Sequence, residues 1–120
     1  MIVRDTRPDD LAAITALYAH SVRTGAGTFE LEPPSRAEMG ARLAAIAELG
    51  LPRLAAEIDG TIAGYAYAGP FRLRAAYRYM VEDSVYVDPA FQGRGVGRAL
   101  LQALIARCEA LGMRQMAAVI

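Results

Sequence analysis

Three segments of the chain carry apolar residues every three or four positions, the spacing of an amphipathic helix. The first follows Pro8 and extends through Arg23. The second ends at Gly50 and begins with a capping-box pattern, in which Glu38 follows Ser35 by three residues. The third lies in the last quarter of the chain. The apolar positions of the three predicted helices are Leu11, Ile14, Leu17, Tyr18 and Val22; Met39, Leu43, Ile46 and Leu49; and Val96, Leu100, Leu104, Cys108 and Leu111.

Five other segments have the composition and alternation of β-strands. They read MIVRD, PRLAAEI, TIAGYAYAG, YMVEDSVYV and RQMAAVI. Asp59 and Gly60 separate the second from the third, and this dipeptide is a strong signal for a β-hairpin turn. The predicted order is β-α-α-β-β-β-α-β, which indicates a mixed α/β layer arrangement.

Composition excludes several classes of protein. At 120 residues, the chain is long enough for one domain with a single core. Thirteen acidic and thirteen basic residues balance, so neither a nucleic-acid surface nor a polybasic membrane surface is indicated. No apolar run approaches the roughly 20 residues of a membrane span. A single cysteine, Cys108, fits a reducing compartment and a place in the core. These features predict a soluble cytoplasmic domain.

Three glycines lie within five residues before the third helix: Gly93, Gly95 and Gly97. Each of these glycines can adopt positive φ and lets a ligand approach the bare backbone. Amides at a helix N-terminus attract anions, and Arg94 and Arg98 add positive charge. The stretch therefore predicts a phosphate-binding loop. The dinucleotide fingerprint does not fit the G-x-G-x-G spacing, and the Walker loop needs a lysine, which this chain lacks.

The pattern Gln92-x-x-Gly95-x-Gly97 follows a strand that ends in Val-Asp-Pro, and it resembles the pyrophosphate loop of the GNAT superfamily of N-acetyltransferases. The segments VEDSVYV, YAYAGPFR and GTFELEP are similar to its phosphinothricin and methionine sulfone acetyltransferase branch. The resemblance covers all of residues 1–120 and implies one acetyltransferase domain of α/β (α+β) class, with a mixed, mostly antiparallel sheet flanked by helices. The element order matches the first two thirds of that fold, so we expect a truncated chain without the C-terminal helix and strands.

The resemblance implies acetyl-CoA as co-substrate. The Val85 N–H would polarise the thioester carbonyl, and the backbone of Val85, Tyr86 and Val87 would pair with the pantetheine arm like an added strand. The pyrophosphate would contact the loop residues Gln92, Gly93, Arg94, Gly95, Val96, Gly97 and Arg98.

Acetyl transfer to an amine requires a neutral nitrogen, and a carboxylate can accept the proton. Alternation places Glu82, Ser84 and Tyr86 on one face of their strand. In the resembled branch the glutamate that matches Glu82 is the proton acceptor, so Glu82 is the predicted catalytic and substrate-contacting residue. A surface glutamate on a half-exposed strand is the alternative.

The acceptor pocket is predicted around two arginines. Arg72 and Arg74 precede the strand of Glu82, and guanidinium groups bind a carboxylate or phosphinate with two hydrogen bonds. Solvated loop arginines are the alternative. By resemblance the same pocket is lined by Phe29, Ala75, Ala76 and Tyr77.

The predicted function is transfer of an acetyl group from acetyl-CoA to the amine of a small amino-acid-like acceptor, of the phosphinothricin, methionine sulfone or sulfoximine type. Two alternatives stay open: acetylation of another amine, such as a peptide N-terminus or an aminoglycoside, and a non-catalytic CoA-binding or structural fragment. No residue cluster has metal-ligand spacing, and His20 is read as structural or exposed. Because members of this branch are commonly dimers and the chain ends in the apolar strand MAAVI, we expect a homodimer.

Overall fold

The structure, a computed structural model, describes residues 1–24, 31–70, 80–112 and 115–118. Its strands are β1 (Ile2–Asp5), β2 (Arg53–Ile58), β3 (Thr61–Pro70), β4 (Met80–Val87) and β5 (Gln115–Ala118). They form one sheet in the order β1-β2-β3-β4-β5, antiparallel from β1 to β4, with β5 parallel to β4. The predicted element order and the mixed, mostly antiparallel sheet are confirmed.

The helices are α1 (Leu11–Thr24), α2 (Arg36–Glu48) and α3 (Val96–Ala110). A 3₁₀ turn over Pro8–Asp10 leads into α1. The predicted capping box opens α2, because the Glu38 N–H donates to Ser35 Oγ at 3.1 Å and the Ser35 N–H donates to Glu38 Oε1 at 3.4 Å. None of the helices in the described ranges is long and apolar enough to cross a membrane.

The predicted apolar stripes form the core, with two exceptions at the helix ends. Leu49 and Leu111 are 59% and 51% exposed and lie just past the last residues of α2 and α3. The following glycines, Gly50 and Gly112, have φ of 74° and 82°, the left-handed conformation that ends a helix. Apolar periodicity thus extends both predicted stripes one residue beyond the end of the buried helix face.

The hairpin between β2 and β3 turns at the predicted dipeptide. Asp59 and Gly60 have φ of 50° and 77°. A two-residue turn with positive φ at both positions matches the twist of the flanking strands, which is why this pair joins them. The turn places Ile58 opposite Thr61, and a bulge shifts the register between Ala56 and Glu57.

Helices cover both faces of the sheet. Tyr65, Tyr67 and Tyr86 share one face of the sheet, here called the tyrosine face. The ring of Tyr18 in α1 meets the ring of Tyr86 in β4 edge-on, with 5.3 Å between centroids, so α1 lies on this face. On the other face α3 packs against Gly64 of β3, where a Cβ would lie 3.1 Å from side-chain atoms of Val96 and Leu100. The missing side chain at Gly64 therefore allows α3 to approach the sheet closely.

Ion pairs from Arg4 join β1 to the 3₁₀ turn before α1 and to β2. The two terminal nitrogens of Arg4 donate to both carboxylate oxygens of Asp10, at 2.8 and 2.9 Å, and one also donates to Glu57 at 3.0 Å. The Arg7 N–H donates to the same Asp10 carboxylate at 2.7 Å. Asp10 is only 5% exposed. The hydrogen bonds from Arg4 hold the pKa of Asp10 below its ordinary value of 3.8, although burial acts in the opposite direction.

Candidate active site

The loop between β4 and α3 has left-handed backbone at two of its three glycines. Asp88 accepts a hydrogen bond from the Ala90 N–H at 2.9 Å and begins a 3₁₀ turn over Pro89–Phe91. Gly93 and Gly95 then have φ of 81° and 77°. Within the described residues, no heavy atom lies within 4 Å of a Cβ built at either glycine. Glycine is therefore required there by the backbone conformation and not by packing.

The third glycine of the loop has a different backbone conformation. Gly97 is the second residue of α3 and does not use the positive φ that glycine allows. The physical reason is that the helix already begins at Val96, one residue after Gly95. The loop thus contains two left-handed glycines followed by a helical one.

The N-terminus of α3 has no side-chain cap. Gly95 is the N-cap residue, and the first intrahelical hydrogen bond runs from the Ala99 N–H to the Gly95 carbonyl at 3.0 Å. The amides of Val96, Gly97 and Arg98 therefore have no acceptor within the helix. These amides and the positive end of the helix dipole lie together at this end, which is the chemistry of an anion site.

The side chains of the loop add positive charge at its surface. The guanidinium carbon of Arg94 lies 5.5 Å from the ring centroid of the half-buried Phe91. This cation–π contact holds the charge beside the two left-handed glycines. Arg98 and Gln92 are exposed on the same short stretch. The predicted phosphate-loop residues are therefore net positive, and all but the buried Val96 and the half-buried Gly97 are exposed.

Two amides of β4, just before this loop, point away from the neighbouring strand β3. The Asp88 N–H donates to the Ala63 carbonyl of β3 at 2.8 Å. Because amides along an antiparallel strand point alternately to its two sides, those of Val87 and Val85 point away from β3, towards the β5 side. Pairing with β5 involves Met80–Asp83 within the described ranges. Among the described residues, the amides of Val85 and Val87 lie past the last residue of β4 that pairs with β5.

Glu82 lies across from Gly69 of β3, and its side chain is on the tyrosine face. The ladder places Glu82 across from Gly69, Ser84 across from Tyr67, and Tyr86 across from Tyr65, so all six residues share one face. Tyr86 stacks on Tyr65 with 5.1 Å between ring centroids. Glu82 and Ser84 are half-buried. The predicted grouping of Glu82, Ser84 and Tyr86 on one face agrees with this register.

Tyr65 is a feature of this face that the sequence interpretation missed. Its side chain is fully buried, yet its hydroxyl has no hydrogen-bond partner among the described residues. Burial raises the pKa of Tyr65 far above its ordinary value, so the phenol is neutral at physiological pH. The alternation in TIAGYAYAG could have placed Tyr65 and Tyr67 on one face, but not opposite β4.

Several predicted site residues fall outside the described residues. These are Phe29, Arg72, Arg74, Ala75, Ala76 and Tyr77. Of the other side chains considered, His20 is exposed, and Cys108 is buried in the core, where burial raises the pKa of its thiol. In the part of the chain that the structure describes, no three His, Cys, Asp or Glu residues are grouped to hold a metal ion.

Comparison with known protein families identifies the family of the chain. The sequence profile of the "Acetyltransferase (GNAT) family" matches residues 11–120. The chain belongs to the GNAT family. The GNAT assignment accounts for the combination of a glycine loop at the start of α3 and an outward-facing edge of β4, and it confirms the resemblance drawn from the residues between Gln92 and Gly97.

Relatives within the GNAT family include enzymes that act on small amino acids. The chain is 57% identical over 116 residues to a phosphinothricin N-acetyltransferase of Alcaligenes faecalis, which covers 97% of this chain and 59% of that protein. It is 39% identical over 118 residues to an L-methionine sulfoximine/L-methionine sulfone acetyltransferase of Salmonella typhimurium, covering 98% of this chain and 69% of the relative.

A solved structure shows the same fold with the co-substrate of that enzyme. The GNAT superfamily phosphinothricin acetyltransferase of Sinorhizobium meliloti in complex with AcCoA superposes with a TM-score of 0.97 and 49% identity. The match covers 99% of this chain and 65% of that one. The chain thus spans about three fifths to two thirds of the length of these relatives.

Proposed function

We propose that the protein is an N-acetyltransferase that moves an acetyl group from acetyl-CoA to the amine of a small amino-acid-like acceptor, of the phosphinothricin, methionine sulfone or sulfoximine type. The observation that carries this proposal is the direction of the Val85 and Val87 amides, which point away from β3 just before the glycine loop. Similarity to phosphinothricin and methionine sulfone acetyltransferases supports the acceptor class.

The loop and the strand edge would bind acetyl-CoA together. The amides from Gly93 to Arg98 suit a pyrophosphate, because they combine left-handed glycines, free helix amides and two arginines. The outward edge from Val85 to Val87, which includes Tyr86, suits the amide groups of a pantetheine arm by strand addition. Val96 is buried and anchors the first turn of α3, and Gln92 is exposed before it.

Bound acetyl-CoA supplies a thioester, whose carbonyl oxygen gains negative charge during acyl transfer. The Val85 N–H would donate to that oxygen and stabilise the charge. Glu82 would accept the proton of the attacking amine, directly or through a water, so that the nitrogen can form the new C–N bond as the C–S bond breaks and the CoA thiolate leaves. The face of Glu82 is accessible enough for this role, since the residue is half-buried.

The acceptor contacts proposed from the family pattern involve residues beyond the described ranges. Arg72 and Arg74 would bind the acceptor's carboxylate or phosphinate. The remaining proposed lining residues are Phe29, Ala75, Ala76 and Tyr77. β4, the strand of Glu82, follows residues 72–77 closely in the chain, which supports placing those residues at the same site, whereas Phe29 is proposed from the family resemblance alone.

We also propose that residues 1–120 belong to a single acetyltransferase domain that acts in the cytoplasm, without a metal, as a homodimer. One sheet and one continuous core support a single domain. The resemblance to a branch whose members are commonly dimers supports association. Light scattering at high protein concentration checks the dimer, and a monomeric mass would contradict it.

The acceptor class is tested by measuring CoA release with a panel of amines. We expect phosphinothricin, methionine sulfone and methionine sulfoximine to react faster than polyamines, aminoglycosides and peptide N-termini, with product masses raised by one acetyl group. Turnover only of cationic amines that lack a carboxylate would contradict the proposed acceptor. Absence of turnover with every amine, together with retained acetyl-CoA binding, would favour a non-catalytic CoA-binding protein.

A further inference from the structure

Neither the backbone conformation nor packing among the described residues requires a glycine at position 69 of β3. The φ of Gly69 is outside the left-handed region, and within the described residues no heavy atom lies within 4 Å of a Cβ built there. Glycine in a strand interior costs conformational entropy and contributes no side chain to packing. Such a glycine often marks a bulge, a bend or a place where a ligand or another backbone approaches closely.

The register puts this glycine in front of the proposed proton acceptor. Gly69 lies directly across from Glu82, at a pair position where Cα atoms are about 5.5 Å apart. Both residues belong to the tyrosine face of the sheet. Any side chain at Gly69 would stand beside the Glu82 carboxylate, so its absence keeps this side of the carboxylate accessible.

Gly69 also borders a cavity that none of the proposed steps uses. The cavity has a volume of about 340 Å³, within the range of small-molecule sites. It lies between α1, α2 and β3, and most of its lining is apolar. The described residues that line it are Tyr18, Met39, Arg42, Leu43, Ala45, Ile46, Tyr67 and Gly69.

We propose that Gly69 is a specificity-determining residue, which opens a passage from Glu82 into this cavity so that the cavity receives the side-chain tail of the acceptor. The inference rests on the proposed function, because it assumes that the acceptor amine is held at Glu82. The cavity would select amino acids with unbranched, uncharged tails of about three to five heavy atoms. A tail of that length spans the distance from Glu82 past Gly69 into the cavity.

The apolar lining of the cavity disfavours a cationic tail. The guanidinium of Arg42 lies 5.9 Å from the ring centroid of Tyr18, so one cation–π contact is already present in the lining. A second ammonium group on the acceptor would lose its hydration among Met39 and Ile46. Transfer of an uncharged tail from water to the same apolar surface lowers the free energy of binding.

Two substitutions narrow the passage from opposite sides. Gly69→Val adds a side chain beside Glu82, and valine suits a strand. Ala45→Leu fills the cavity from α2, where Ala45 is exposed and leucine is a good helix former. Ala47→Leu is the matched control, because Ala47 is exposed on the same helix and does not line the cavity.

The experiment measures kcat/KM of the full-length protein with alanine, norvaline, methionine and methionine sulfone, alongside acetyl-CoA affinity. We expect Gly69→Val and Ala45→Leu to lower kcat/KM for methionine sulfone about 10-fold or more, as for lost space in an apolar pocket, with little effect on alanine. Acetyl-CoA affinity and the Ala47→Leu variant should match the parent.

An equal loss for short and long tails, or no loss for either, would overturn the inference while the parent's turnover leaves the proposed function intact. If Gly69→Val does not fold, as judged by its thermal transition, Ala45→Leu decides alone. A parent protein that acetylates none of the four amino acids would instead contradict the proposed function, and the role of Gly69 with it.

Discussion

Gly97 in the first turn of α3 faces Val87 at the end of β4, and a Cβ built on Gly97 would lie 3.5 Å from Cγ2 of Val87. That distance is an ordinary van der Waals contact. The backbone at Gly97 is helical, so the two common reasons for a glycine, positive φ and a close approach, are both missing. The helix start therefore tolerates one more methyl group at Gly97. The sequence pattern alone does not distinguish Gly97 from Gly93 and Gly95.

Replacement of Gly97 by alanine should leave the site intact. We expect Gly97→Ala to bind acetyl-CoA as tightly as the parent, because the methyl group points to Val87 and the amide remains a donor. The free energy of unfolding should rise by up to about 1 kcal/mol, the difference in helix propensity between glycine and alanine. Calorimetric titration with acetyl-CoA and urea unfolding measure the two quantities. A loss of affinity would show that the co-substrate lies on the Val87 side of Gly97.

The neighbouring glycine should behave in the opposite way. Gly95→Val forces a β-branched side chain into a left-handed conformation with φ near 77°, which costs about 1–3 kcal/mol or moves the loop. The variant should lose measurable acetyl-CoA binding in the same titration while keeping its fold by circular dichroism. Parental affinity of a folded Gly95→Val protein would place the pyrophosphate elsewhere.

Removal of the proposed proton acceptor should affect turnover and not co-substrate binding. Glu82→Gln keeps the shape of the side chain on the tyrosine face, so kcat in the full-length protein should fall roughly 10²-fold or more. The loss should shrink as pH rises, because the acceptor amine then loses its proton to solvent. Steady-state kinetics between pH 7 and 10 check both points. Near-parental kcat at pH 7 would leave an ordered water as the base.

The buried ion pair between Arg4 and Asp10 should make stability sensitive to acid. Since folding lowers the pKa of Asp10, its contribution is fully present above the ordinary value of 3.8 and is lost as pH falls through that value towards the folded-state pKa. Asp10→Asn removes the charge that pairs with the half-buried Arg4 and leaves Arg4 with Glu57 and the Asp5 carbonyl as described acceptors, so it should cost about 3 kcal/mol at pH 7. Urea unfolding from pH 7 to pH 3 should show a flatter acid dependence for the variant.

An exposed ion pair provides the control for that experiment. Asp5 accepts from Arg107 at 2.6 Å, but their side chains are 64% and 49% exposed. Asp5→Asn should therefore change the free energy of unfolding by less than about 1 kcal/mol. Equal losses for the Asp10 and Asp5 variants would show that burial does not distinguish the two pairs.

Helix and turn features were predictable because their causes are local. The capping box at Ser35, the hairpin turn at Asp59-Gly60 and the left-handed pair Gly93 and Gly95 each depend on residues within four positions of one another. The same locality explains the errors at Leu49 and Leu111. Apolar periodicity reports which side of a helix is buried, and it does not report where the helix stops.

The sequence by itself determined the family, the order of elements, the shared face of Glu82, Ser84 and Tyr86, and the anion-binding character of the loop before α3. Only the tertiary structure decided that Glu82 lies across from Gly69, and that the Val85 amide points away from β3. The physical reason is the pairing register. Strand alternation assigns faces within one strand, whereas the neighbour of each residue depends on how two strands distant in sequence align when the whole sheet packs against its helices.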